Sequence, residues 1–332
     1  MNSRTKSQAS WKSALAASAG VVAAMAATAG HAVAQQFPSK PIKIVITLSA
    51  GSAADSVARV VGDGFSQQLG QPVIFENRPG GSGTIGANAV AKADPDGYTL
   101  LVNTNLHTLA PALLANMPYN IETDFAGITP LGTSPHVLII SSGQNLNSIK
   151  DLVAAAKKRP GGITYAAVAG SGTHLNGAHF IKEMKIEGRM VPFKGAPESI
   201  TEVMTGRVDI YFSPILPALP HINSGKLLGL AVSAKVKSSA LPKVPTSFEA
   251  GYPNSEFGLN FYLFAPGKTP RPIIDKLHDA AVKTLKNPAT ASRLEKLVIA
   301  PMIMKPAEMD AFTKKQIVIE EQQARAAGLP KR

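Results

Sequence analysis

Short apolar, β-branched runs alternate with segments of helical period along most of the chain. Ile44-Val45-Ile46-Thr47-Leu48 is the first such run, and it ends at Ser49-Ala50-Gly51-Ser52-Ala53-Ala54-Asp55. The polar turn passes into a stretch with Val57, Val60, Val61, Phe65 and Leu69 on one helical face. The pattern predicts strand, turn and helix. Further strands are expected at 73–76, 98–103, 137–141, 163–168, 208–212, 227–232 and 261–264. Helices are expected at 85–93, from Thr104 through Leu114, from Ser148 to Pro160, and through Leu175, Phe180, Ile181 and Met184. Pro197 stands where another helix should begin and Gly206 where it should end. The last third is helical at 270–285, 288–297 and 306–327, and the Pro- and Gly-rich stretch 241–258 is expected to be a long surface excursion. Such alternation predicts an α/β fold with largely parallel sheets. No repeat is visible in the sequence.

Turns that lead from a strand into a helix point unpaired backbone N–H groups and the positive end of a helix dipole at one spot. That spot suits an anion, a carboxylate as readily as a phosphate. Three such turns are expected, at 49–55, 103–108 and 169–174. In open α/β sheets ligands bind beyond the C-terminal strand ends, where these turns lie.

The first 34 residues change the setting. Arg4, Lys6 and Lys12 precede a small apolar run, and Ala32-Val33-Ala34 is an A-x-A site, so cleavage is expected before Gln35. The run is too short and too rich in Ala and Gly to be a membrane anchor. With no Cys, the chain has neither a lipoprotein anchor nor disulfides nor a thiolate metal site. A periplasmic location is expected. The leader holds three basic and no acidic residues, which leaves a formal charge of +9 of the +12. A positive surface favours acidic ligands. The basic residues are spread out, aromatics are few and no nucleic-acid motif occurs, so no nucleic acid is expected as partner.

Two motifs point elsewhere and fail. Gly81-Ser82-Gly83-Thr84-Ile85-Gly86 satisfies G-x-G-x-x-G, but the position of the ribose acid falls on apolar Leu101 and Val102. It is better explained as a tight turn. No G-x-S-x-G and no H-E-x-x-H exists, so neither a hydrolase nor a zinc site is indicated, and no cofactor or metal is expected. His107 and His174 stand beside strand-end turns and are candidate pocket residues.

The order of phrases resembles one family over essentially the whole exported chain. The phrases are Phe37-Pro38-Ser39-Lys40-Pro41-Ile42, Ala50-Gly51-Ser52-Ala53-Ala54-Asp55, Leu69-Gly70-Gln71-Pro72-Val73 and Glu76-Asn77-Arg78-Pro79-Gly80. They continue with Asp94-Pro95-Asp96-Gly97-Tyr98-Thr99-Leu100, Pro192-Phe193-Lys194-Gly195, Leu216-Pro217-Ala218-Leu219-Pro220-His221-Ile222 and Leu241-Pro242-Lys243-Val244-Pro245-Thr246. This order is similar to that of the Bug family, the solute-binding proteins of tripartite tricarboxylate transporters. The resemblance implies a two-lobed, type II periplasmic binding protein, each lobe a mostly parallel sheet flanked by helices. It places lobe 1 at 37–136 plus 233–332 and lobe 2 at 137–232. It implies a monomer that is not an enzyme, binds a small carboxylate in the interlobe cleft, and hands it to a membrane permease. An exported enzyme on this scaffold and a ligand-sensing subunit for a membrane signalling partner are the alternatives.

Carried over by residue, the resemblance puts Ser49, Ala50, Gly51, Ser52 and Asp55 in a first binding turn. It puts Thr104 and His107 in a second, and Gly170, Ser171, Gly172, Thr173 and His174 in a third. Phe193 and Lys194 stand in a Phe-Lys-Gly phrase where the family usually has Tyr-Lys-Gly. Ser213 and Pro214 follow the strand 208–212 where many members have an acid and Asn. Loss of that acid disfavours an amino-acid ligand, whose ammonium would lack a partner, and favours a dicarboxylate. Asp55 is then the one acid expected near the ligand, and helix capping is the plainer role for Asp55, Ser171 and Thr173.

Overall fold

The structure is a computed structural model that describes residues 37–253, 255 and 257–331. The expected export signal lies outside the described residues. Residues 1–39 and 40–332 cluster separately; the described part of the first, 37–39, holds no helix or strand.

The first half of 40–332 runs β1 (Ile42–Ile46), α1 (Ala53–Leu69), β2 (Val73–Asn77), α2 (Thr84–Ala91), β3 (Thr99–Thr104), α3 (Asn105–Leu113), the short α4 (Ile121–Asp124) and β4 (Phe125–Ser141). It continues with α5 (Ile149–Lys158), β5 (Ile163–Ala167), α6 (Gly172–Glu183), β6 (Gly188–Pro192), α7 (Ala196–Met204), β7 (Ile210–Pro214), α8 (Ile215–Asn223) and β8 (Leu227–Val232). β9 (Gly258–Pro266) and helices α9 (Arg271–Lys286), α10 (Pro288–Lys296) and α11 (Pro306–Ala326) close the chain. Local chemistry accounts for the boundaries. The Ser52 hydroxyl accepts from the Asp55 N–H at 3.2 Å to start α1. Gly70, at φ 68°, ends it by donating to the Ser66 carbonyl.

Two sheets share one strand. The first has the order β2-β1-β3-β9-β4 and the second β6-β5-β7-β4-β8. β4 pairs with β9 from Phe125 to Pro135, then with β7 and β8 from His136 to Ser141. The two orders are the same pattern, with β1, β2 and β3 matched by β5, β6 and β7. The fold therefore repeats although the sequence does not show it.

Parallel pairing, expected to predominate, holds for β1, β2 and β3 and for β5, β6 and β7. Every antiparallel pair involves β4 or β9, because a strand entering a sheet from the other half runs against its neighbours. The sheets are mixed. A departure from expectation is the stretch 241–258, where Leu241, Val244 and Tyr252 are buried. Its backbone docks on β8, with Val232 donating to the Pro245 carbonyl and Ser247 to that of Val232. Those bonds satisfy an irregular segment that then buries its apolar side chains. The strands 125–136 and 188–192 and the helix 215–223, which holds Pro217 and Pro220, are also additions to the expected elements.

Gly162, at φ 65°, opens β5, and a Cβ there would run into the Glu187 carbonyl that precedes β6. Gly162→Ala should destabilise the protein by about 1–3 kcal/mol through strain and overpacking. Denaturant unfolding measures this, and an unchanged midpoint would show that the turn adapts.

Candidate ligand-binding site

The repeat places equivalent turns face to face. β1 leads to Gly51-Ser52 and α1; β5 leads to Gly170-Ser171 and α6. Both glycines are left-handed, at φ 77° and 78°, and both serines cap the following helix. Ser171 accepts from the Thr173 N–H at 3.1 Å and the His174 N–H at 3.4 Å. In each turn the glycine N–H donates to the side chain four residues on. Gly51 donates to Asp55 Oδ2 at 3.0 Å, and Gly170 donates to His174 Nδ1 at 3.3 Å. Asp55 and His174 thus play one structural part in the two halves.

A small cavity lies between the turns. Leu48, Ser52, Ala53, Ala54 and Thr104 line it from one side, Val168, Ser171, Thr173, Ala196, Tyr211 and Pro214 from the other, with Leu259 of β9 beside them. Its volume is about 20 Å³, room for roughly one water. Ala53, Ala54 and Gly172 open their helices, so their N–H groups have no acceptor within the helix. Five hydroxyls add donors and acceptors: Ser52, Thr104, Ser171, Thr173 and Tyr211. The Thr173 hydroxyl is 2.7 Å from that of Ser171 and accepts from the Val168 N–H at 3.2 Å. Burial pushes the Tyr211 phenol upward, while hydrogen bonds to Ser199 and Thr173 pull the other way, and the net shift is up. No Asp, Glu, Lys or Arg lines this cavity. A second cavity of about 280 Å³ adjoins it at Val168, lined by Thr47, the Gly80–Gly83 turn, Ala169, Pro192, Phe193 and Lys194.

The candidate residues divide accordingly. Ser52, Thr104, Ser171, Thr173 and Pro214 line the inner cavity, and Phe193 and Lys194 the outer one. Gly51, Gly170 and Gly172 shape the turns. Ala50 is exposed at the rim. Ser49 donates to Glu198 Oε2 at 3.4 Å, across from one half to the other. Glu198 is therefore an acid at the rim, where Asp55 alone was expected. Ser213 is buried and donates to the Pro214 carbonyl at 2.9 Å. His174 stacks on Tyr165 with ring centroids 6.4 Å apart and does not line either cavity.

Asp55 is buried and faces away from the cavity into its own helix. It accepts from Arg59 Nε at 3.1 Å and from Asn77 Nδ2 at 3.1 Å besides Gly51. Burial raises its pKa, but hydrogen bonds from Arg59, Gly51 and Asn77 outweigh that, and the carboxyl sits below its ordinary value. It braces the turn. Leu48, Ala53, Ala54, Val168, Ala196, Tyr211 and Leu259 of the inner cavity were not among the site residues expected from the sequence. Tyr211 occupies the end of an expected strand, beside Pro214, which was its signal; Leu259 reaches the site only through the fold.

His107 is a correction. It is fully buried and lies 4.7 Å from the Phe125 ring, 4.5 Å from Phe264 and 6.1 Å from Tyr119, centroid to centroid. Its place on α3 turns it into the aromatic core instead of the cleft. Burial pulls its pKa down to about 3, and that of buried His136 to about 4. Unfolded histidine titrates near 6.5. As pH falls, the unfolded chain takes up these protons first, so their contribution to stability is full above about 6.5 and drains below it.

The comparisons agree with this geometry. The family model described as "Tripartite tricarboxylate transporter family receptor" matches residues 57–329. Protein BugT of Bordetella pertussis is 32% identical over 301 residues, which are 90% of this chain and 92% of that protein. The solved periplasmic binding protein BugD superposes with a TM-score of 0.84 at 29% identity, over 89% of this chain and all of that one. The Rhodopseudomonas palustris protein Rpa4515, solved with adipate, gives 0.85 at 28% identity, over 89% and 100%.

His107→Leu should flatten the loss of stability between pH 6.5 and 4.5 by as much as about 1.4 kcal/mol per pH unit. Urea unfolding of both proteins across that range isolates the His107 contribution. Equal slopes would mean that the imidazole is not held neutral in the core.

Proposed function

The chain belongs to the tripartite tricarboxylate transporter receptor family, the Bug proteins, and we propose that it captures a small dicarboxylate between its two halves and delivers it to a membrane permease. The single observation that carries this reading is the convergence of two helix N-termini and five hydroxyls on one cavity without charged side chains. Backbone N–H groups at helix starts stabilise a carboxylate by hydrogen bond and dipole together. A buried ammonium would find no carboxylate there, which disfavours amino acids. Lys194 and Phe193 at the outer cavity suit the far carboxylate and the carbon chain of a dicarboxylate. Adipate bound to the similar Rpa4515 supports the same class.

In this reading the halves are lobes, 37–136 with 233–332 and 137–232. The change of β4 partners between Pro135 and His136 supports that division. The inner cavity is too small for a carboxylate, so the lobes part at the crossing strands to admit it. The family and the A-x-A leader support action in the periplasm as a binding protein and not an enzyme.

Calorimetric titration with succinate, adipate, terephthalate, aspartate and glutamate tests the ligand class. The tightest dicarboxylate should bind with a micromolar Kd or below, about −8 kcal/mol, and more tightly than either amino acid. Aspartate or glutamate as the tightest ligand would show that an acid such as Glu198 reaches the ammonium. Replacing Ser171 and Thr173 together by Ala should weaken binding by about 1–3 kcal/mol while the protein still folds. Unchanged affinity would reduce both to helix caps.

A further inference from the structure

A separate cavity of about 240 Å³ lies where α3, α6, α11 and β9 meet. Glu320 of α11 lines it and is only 4% exposed. Its Oε1 accepts from Asn105 Nδ2 at 2.6 Å, and Asn105 Oδ1 accepts from the Asn260 N–H at 2.8 Å. The Asn105 amide is thereby fixed, and the carboxyl with it. Glu320 Oε2 is buried and has no hydrogen-bond partner. No Lys, Arg or His lines the cavity. A buried carboxyl with one idle oxygen and no cation is costly and calls for a partner. Gln316 and Gln323, both half-buried, offer amide oxygens on the same wall, and Leu109 and Phe257 supply an apolar one.

We propose that this cavity is a second ligand site, which takes a small organic ammonium ion, its N–H groups toward Glu320 Oε2 and the glutamine amides and its carbon chain toward Leu109 and Phe257. An anion is excluded by the carboxyl. A divalent metal would want several acids, and no group of three His, Cys, Asp or Glu suited to a metal occurs among the described residues. The volume falls below the roughly 300–1,000 Å³ of ordinary ligand pockets, which limits the guest to a small amine. Burial pushes the carboxyl up to about 7, while the neighbouring Thr108 hydroxyl and the Asn105 amide act the other way, so a bound cation would hold it ionised. The site rests on other side chains than the carboxylate reading: Thr104 faces the cleft while Asn105, the next residue, faces this cavity, and only Gly172, through its backbone, borders this cavity and serves that reading too.

The test is calorimetric titration of the protein with 1-butylamine and benzylamine, against 1-butanol and benzyl alcohol. The amines should bind and the alcohols bind at least about tenfold more weakly, since only a cation meets a charged acceptor. Glu320→Gln should weaken amine binding by at least about tenfold as well. The double Ala variant at Ser171 and Thr173 should bind the amines as the parent does. Amines that fail to bind, alcohols that bind equally well, an E320Q protein that binds amines as before, or loss of amine binding in the cleft variant would each overturn the proposal. The amine–alcohol comparison needs no variant and decides the matter should E320Q not fold.

Discussion

Everything in this molecule hangs on β4. One strand of 17 residues pairs with β9 along its first part and with β7 and β8 along its last. Because it is the edge strand of the first sheet and lies between β7 and β8 in the second, the two halves cannot choose their relative orientation freely. The C-terminal ends of β1 and β5 are thereby turned toward each other, and each ends in the same Gly-Ser cap. A ligand site follows from strand order before any particular ligand-binding residue is chosen.

The caps show how similar backbone duties are met by different side chains. A left-handed glycine needs an acceptor for its N–H. In one turn this is Asp55, an anion held by Arg59 and Asn77; in the other it is His174 Nδ1. Neither side chain lines the inner cavity. The acid that the sequence places near a carboxylate ligand is in fact consumed by its own helix, and the repulsion it would cause is removed. What remains at the inner cavity is neutral: hydroxyls, alanine N–H groups and apolar walls. In the proposed reading such a surface binds an anion by dipoles, and the inner cavity offers a cation no charged partner.

Much of this was legible in the sequence. Local signals fixed the strands and helices around Gly51 and Gly170, because caps, left-handed glycines and helical periods act over a few residues. The serines and threonines at those turns could be named for the same reason. The crossing part of β4 was not legible, since 125–136 includes Gly127, Pro130, Gly132 and Pro135 and lacks alternation. Nor were the burial of Tyr252, the approach of Leu259 or the core position of His107, all of which depend on what packs against them. Glu320 lies on a helix that reads as an ordinary polar surface until α3 covers it. The repeat of the fold stayed hidden because the two halves share a backbone plan and little more than a Gly-Ser pair.

The most direct measurement is of the backbone amide resonances as adipate is added to the protein without residues 1–34. In the proposed reading the carboxylate sits on the N–H groups that begin α1 and α6. Ala53, Ala54 and Gly172 should therefore show the largest downfield proton shifts, with smaller changes along β4 near Pro135 and His136. Shifts concentrated at Gly80–Gly83 or at α11, with those three amides unmoved, would contradict it.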